Sequence, residues 1–264
     1  MLQESHSIFV ELQTEMVSMK CVKEIISRSK QGITKPFKCK VSDGAIYWCK
    51  GLQAGVDGLR KEWMGAGVLK ALGLPTREFC ALECPVELAE AWYKEADSFD
   101  AEARNDFVDN DVNIVFGSLH IESAIDLMSR SDVIKDFSDD MIARIFYADQ
   151  IIRNTDRTQE NSNILLTFEE SAKLYLIDHG NAFNDHYMAQ NFMEDHIFAD
   201  RMKAIPKEIK KTASNEVATH VSDDLINKLW KDMPESWTRR PKRTYAISME
   251  DIMQIVSFER SQYV

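Results

Sequence analysis

An apolar run with helical spacing, from Met141 through Ile152, stops at Arg153-Asn154, and the polar loop that follows carries Asp156, Asn161 and Asn163 with almost no apolar residue among them. A loop of that composition must face solvent or a ligand. Two short apolar runs follow, Ile164-Leu165-Leu166 and Leu174-Tyr175-Leu176-Ile177, joined by a charged turn, and the second ends directly on Asp178-His179-Gly180. The pattern predicts a hairpin that brings Asp178 back beside the loop.

An Asp, an Asn five residues later and an Asp at the end of the next hairpin form the constellation of phosphoryl transfer in protein kinases. There one Asp accepts the hydroxyl proton, while the Asn and the second Asp hold magnesium against the nucleotide phosphates. The corresponding residues are Asp156, Asn161 and Asp178, with Asn163 as the alternative metal ligand; spacing from Asp156 favours Asn161. Each residue alone reads more simply as a turn former, and only the ordered set carries the chemistry. The wording of the loop goes further. Asn154-Thr155-Asp156-Arg157-Thr158, Asn161-x-Asn163-Ile164-Leu165 and Leu176-Ile177-Asp178-His179-Gly180-x-Ala182-Phe183 together resemble the HipA-like kinases, bacterial relatives of the toxin kinase HipA.

The chain has 264 residues and 44% hydrophobic content, enough for one large domain or two lobes around a cleft. A net charge of −11 argues against nucleic acid or an anionic membrane as the main partner, because both require a basic footprint. Cys21, Cys39, Cys49, Cys80 and Cys84 are odd in number and widely spread, as expected of reduced core thiols. Met1 to Ser7 lacks a basic segment with an apolar core, and no run approaches the length of a membrane span, so the expected location is the cytoplasm.

Toward the N-terminus, Cys21 to Ile26 and Phe37 to Val41 alternate as strands around a small, polar and basic loop, Ser27 to Pro36. Ser42-Asp43-Gly44 turns the chain into a third strand, Ala45 to Lys50. On that strand Ile46, Trp48 and Lys50 share a face, so the lysine needs a partner. Glu62, in the first turn of a helix predicted from Leu59 to Leu72, supplies one. In kinases a strand lysine holds the nucleotide phosphates and is itself held by a helix glutamate. The plainer reading is a snorkelling lysine and a glutamate that favours a helix N-terminus.

The resemblance covers approximately Ile25 to Phe183. It implies an α+β, protein-kinase-like two-lobed fold, with a small antiparallel-sheet lobe over residues 1–121 and a mainly helical lobe over 122–264. It also implies ATP and Mg2+ as cofactors and a hinge at Gly117 to Ile121, where Ser118, Leu119 and His120 meet the adenine. No G-x-G-x-x-G occurs, and Gly32 alone is available in the loop, with Lys30 and Lys35 offering charge to the phosphates. In that family the corresponding loop is a site of autophosphorylation, which points to Ser27, Ser29 and Thr34.

Asp97 to Asp111 carries six acids against one arginine and reads as a solvated linker. Lys207 to His220, Asp223 to Lys231 and Met249 to Arg260 are predicted helices, the last behind the capping box Ser248-x-x-Asp251. They should bury Ile209, Val217, Leu225, Leu229, Trp230, Ile252 and Ile255. The basic run Thr238 to Arg243 reads as a solvated loop. The expected activity is ATP-dependent phosphorylation of a protein serine or threonine, and the resemblance adds a growth-arresting role with an antitoxin partner. Two other functions fit the same residues: a small-molecule or lipid-headgroup kinase on the same fold, and a non-catalytic nucleotide-binding module.

Overall fold

The computed structural model describes residues 19–95, 106–168, 171–239 and 245–263. Met1 to Ser7, most of the acidic stretch after Asp97 and the basic residues after Arg239 lie outside the described residues.

Strands β1 (Val22–Arg28), β2 (Phe37–Val41) and β3 (Ile46–Lys50) form an antiparallel meander. The period of two is plain on β2, where Phe37, Cys39 and Val41 are buried between half-exposed Lys38 and exposed Lys40. Ser27 and Arg28 belong to β1, paired with Lys38 and Phe37, so the loop begins two residues later than expected. Helix α1 (Gly55–Ala71) leads to β4 (Phe79–Glu83), α2 (Val86–Glu95) and β5 (Ile114–Leu119). The strand order is β1-β2-β3-β5-β4, and a bridge from Cys21 to Glu83 curls the sheet toward closure. Strand β5 runs through Leu119, so the expected hinge residues 117–119 are sheet rather than linker.

The outer face of this sheet has its own core of Val22, Phe37, Cys39, Tyr47, Cys49, Leu82 and Val115, covered by α2 and by Phe107, which stacks on Phe37 at 4.1 Å. The described end of the acidic stretch is therefore structural and not a solvated linker: Phe107 is fully buried, and Asp106 pairs with Arg28 at 2.5 Å. A Cβ on Gly51 would stand 2.0 Å from the Phe107 carbonyl oxygen, which is why that position has no side chain.

The second half contains β6 (Ile125–Asp126), α3 (Asp139–Ile151), β7 (Ile164–Phe168) and β8 (Ala172–Leu176), and then α4 (Ala189–Asp195) and α5 (Ala199–Ala204). It ends with α6 (Lys207–His220), α7 (Asp223–Lys231), α8 (Glu235–Thr238) and α9 (Met249–Arg260). Strands β7 and β8 form the expected hairpin, to which β6 adds an edge. Ser138 caps α3, and Ser248 with Asp251 makes the capping box of α9. On α7 the fully buried side chain is Ile226, whereas Leu225 is only half-buried.

Helix α1 joins the large core of the helical half. Leu59, Met64, Val68 and Leu69 are fully buried there with Ile142, Phe146 and Ile252. Trp63 Nε1 donates to Leu229 O at 2.9 Å. The Arg60 guanidinium donates to the carbonyls of Trp237 (2.7 Å), Ile247 (2.6 Å), Arg239 (3.0 Å) and Thr238 (3.2 Å). The five cysteines are free, and among the described residues no helix is long and apolar enough to cross a membrane.

Candidate active site

Lys50 is the last residue of β3, on the face opposite Cys49, and turns its amine under the sheet. Its Nζ lies 2.5 Å from Glu62 Oε1 and 2.8 Å from Asp178 Oδ1. Burial alone would lower the Lys50 pKa, but the two carboxylates more than offset this and hold it above its ordinary value. Glu62 is 2% exposed, and α1 starts at Gly55, so the glutamate sits well inside the helix and not in its first turn. A helix-terminus explanation of Glu62 therefore fails. Burial and the neighbouring Asp178 push its carboxyl up to about 7, against the opposing pull of Lys50. Asp178 goes the other way: burial would raise it, but Lys50 holds it down at about 2. The second Glu62 oxygen accepts from His179 N at 3.0 Å, so one carboxylate grips both the lysine and the loop after β8.

Two backbone bonds bring Asp178 there. Leu176 N donates to Pro75 O (2.7 Å), and Ile177 N donates to Asn163 O (3.0 Å). Asp178 and Asn163 adopt left-handed backbone, φ +54° and +46°, a conformation Asn and Asp tolerate better than most side chains.

The loop between α3 and β7 is built on a buried ion pair. Asp149, inside the last turns of α3, accepts from Arg157 Nε at 2.7 Å and from Asn154 Nδ2 at 2.9 Å, and lies 3.2 Å from His196 Nε2. Arg157 also donates through Nη1 to Asn163 O at 2.5 Å. Both side chains of the pair are fully buried. Burial would raise the Asp149 pKa, yet Arg157 and His196 hold it well below the usual carboxylate range. Asp156 rides on this scaffold, half-buried. Asn161 Nδ2 donates to its Oδ1 (3.2 Å), and Asn163 Nδ2 donates to its Oδ2 (3.0 Å) and its carbonyl (3.0 Å).

A cavity of about 800 Å³ opens between the sheet and this loop. Lys50, Glu62, Asp156, Asn161, Asn163 and Asp178 all line it, as do Gly32, Ser118 and His120. Lys35 and Leu119 lie outside the lining. Lys35 is exposed, and the backbone donors of Leu119 and His120 are already committed to Glu78 O and Ile46 O, both at 2.8 Å. Ser29 and Thr34 line the cavity, whereas Ser27 does not. The sequence reading missed the Asp149, Asn154, Arg157 and His196 scaffold and the cavity residue Arg77. Asp149 could have been flagged as a charge within an apolar helical run; nothing local marks Arg77.

A curled antiparallel sheet over a helical lobe, with a strand lysine braced by a helix glutamate above an Asp- and Asn-bearing loop, defines a protein-kinase-like fold. The chain belongs to the HipA-like kinase family, whose sequence profile matches residues 22–262, nearly the whole chain. The match extends well past Phe183. The Helicobacter pylori proinflammatory kinase CtkA shares the fold with a TM-score of 0.55 at 10% identity, over 92% of this chain and 93% of that one. The Golgi casein kinase with Mn/ADP bound gives 0.53 at 14% identity, over 92% and 72% of the two chains. No curated protein sequence matches the chain. Family and fold make this protein a kinase-type phosphotransferase.

Proposed function

We propose that the protein transfers the terminal phosphoryl group of ATP to a serine or threonine hydroxyl of a protein. The observation that carries this reading is the junction at Lys50, where strand, helix and hairpin meet at one end of the cavity, with Asp156 fixed by two amides on its floor. The acceptor oxygen forms the new bond to the γ-phosphorus, the bond to the β-phosphate oxygen breaks, and ADP leaves. Asp156 orients the acceptor hydroxyl and takes its proton. Lys50, braced by Glu62, holds the phosphates.

The donor set fits a hard divalent cation, since Asp178 and an asparagine amide offer oxygen ligands at the same cavity. Asn161 suits the ligand role better than Asn163 because its side chain is exposed whereas that of Asn163 is buried; the amide nitrogen of each donates to Asp156 and leaves the amide oxygen as the donor atom for a metal. When bound, magnesium would neutralise charge on the phosphates. The Golgi casein kinase structure, with its Mn/ADP, supports an adenine nucleotide with a divalent ion. The growth-arresting role and antitoxin partner rest on family resemblance alone.

Incubation of the protein with labelled ATP and a cell lysate, followed by mass spectrometry, tests the reading. Label on serine or threonine of a discrete protein is expected with wild type. Asp156→Ala should reduce the rate on the order of 10²-fold to 10⁴-fold with nucleotide affinity little changed. Label appearing only on a metabolite or lipid headgroup would overturn the protein acceptor.

A further inference from the structure

The loop between β1 and β2 gives the cavity part of its wall, through Ser29, Gln31, Gly32, Ile33, Thr34 and Pro36. Its internal bonds are local. Ser29 N donates to Pro36 O at the base (2.8 Å), and the Ser29 hydroxyl bonds only to the backbone of Gln31. Ile33 is fully exposed. Lys35 takes left-handed backbone, φ +42°, a conformation that a lysine keeps only where its surroundings fix it.

The neighbour that fixes Lys35 is Arg28, the last residue of β1. Its Nε donates to Lys35 O at 3.3 Å. The rest of the guanidinium is fastened elsewhere: Nη2 meets Asp106 Oδ2 at 2.5 Å, and Nη1 donates to the hydroxyl of Tyr93, on α2, at 3.3 Å. That hydroxyl donates in turn to the other Asp106 oxygen, so the three side chains close a ring of hydrogen bonds. Phe37, across the ladder from Arg28, has its ring 4.8 Å from the guanidinium carbon and packs against Trp92 and Phe107. None of Arg28, Phe37, Tyr93 and Asp106 lines the cavity. An ion pair with a 40% exposed aspartate adds little to stability by itself. A planar fork held at two points, however, has its remaining N–H aimed at one place, and that place is the loop.

We propose that Arg28 is the positioning residue of this loop: clamped by Asp106 and Tyr93 on the outer face of the sheet, it latches the Lys35 carbonyl and so holds Ser29 to Thr34 against the cavity. The proposal rests on the nucleotide reading of that cavity and adds the device that keeps its loop in place. A loosened latch leaves a smaller fraction of molecules with the loop closed, and apparent nucleotide affinity falls by that fraction. The chemical step, which Arg28 does not touch, keeps its rate.

Limited trypsin digestion of the folded protein, read by mass spectrometry at the peptide bond after Lys30, tests the latch without nucleotide, and ATP kinetics tests its consequence. Lys30 is exposed in the loop, and Lys211, exposed on α6, is the reference site. Arg28→Lys keeps the charge but cannot make the three directed bonds, and Tyr93→Phe removes one hydroxyl from the outer core. Arg28→Lys should speed cleavage after Lys30, relative to Lys211, on the order of tenfold, and Tyr93→Phe by less. Arg28→Lys should also raise the ATP KM by about threefold or more with kcat within about twofold. Equal acceleration at Lys30 and Lys211 would make Arg28 a general stabiliser, and unchanged cleavage after Lys30 in both variants would show that the loop stands without the latch; either result overturns the proposal. So does a loss confined to kcat. If wild type binds no ATP, the proposed function fails, while the cleavage ratio still decides the latch.

Discussion

Lys50 and Asp178, 128 positions apart in the chain, meet at 2.8 Å in the wall of the cavity. The contact ties the end of the central strand β3 to the end of the hairpin, and it places on one lysine a carboxylate that a bound metal would also engage. Asp178→Asn should weaken magnesium-dependent ATP binding by tenfold or more, whereas Asp156→Ala should leave that affinity within about twofold. Equal affinities for the two variants by calorimetry would reject this division of labour.

Asp149 gives the fold an acid-sensitive joint. Its folded-state pKa lies below the unfolded value of 3.8, so the folded state binds fewer protons than the unfolded state in that range. The stabilisation is therefore fully present above 3.8 and is lost progressively as pH falls below it. Asp149→Asn leaves Arg157 buried and unpaired, which should cost roughly 3–5 kcal/mol at neutral pH. It should also flatten the loss of stability below pH 3.8. Urea unfolding of both proteins across pH 3 to 7 checks the sign, and an unchanged acid slope in the variant would count against it.

Glycine to alanine in a helix interior ordinarily stabilises by roughly 0.5–1 kcal/mol. At Gly65 the expectation reverses, because a Cβ there would lie 2.6 Å from His179 Cβ. Either α1 or the Asp178-His179 loop must shift, so Gly65→Ala should destabilise by roughly 1–3 kcal/mol. Phosphoryl transfer should fall with it. A rise in melting temperature with unchanged activity would show that the contact relaxes freely.

Arg60→Met should cost on the order of 3 kcal/mol, since it strands several part-buried carbonyls at once. The loss should appear as a lower urea midpoint. Arg60→Lys should recover only a fraction, because an ammonium cannot span the carbonyls of Trp237, Ile247 and Arg239 together.

What the sequence made legible was local. The period of β2, the hairpin ending on Asp178 and the capping box at Ser248 are short-range patterns, and each was found within a residue or two. Lys50 and Glu62 were legible as a pair only through the chemistry of the later loop. Contacts between distant segments leave no period to read. Phe107 was masked by the acids around it, although its ring fills the outer core against Phe37. Arg77 looks like any surface arginine until β4 and β5 close over it. Ser118 and Leu119 read as linker because the strand signal of Val112 to Phe116 fades before the ladder does.

Helix α1 holds Glu62 toward the cavity and Arg60 toward the carbonyls of the C-terminal segment, two residues apart on one helix. In many kinases this glutamate helix is the lever that swings to switch catalysis on and off. Here the lever is bolted at its pivot: withdrawing Glu62 would strip partners from several backbone carbonyls and part Trp63 from Leu229. The lysine-glutamate bridge is therefore braced from the helical half of the chain, through Arg60 and Trp63 on the same helix.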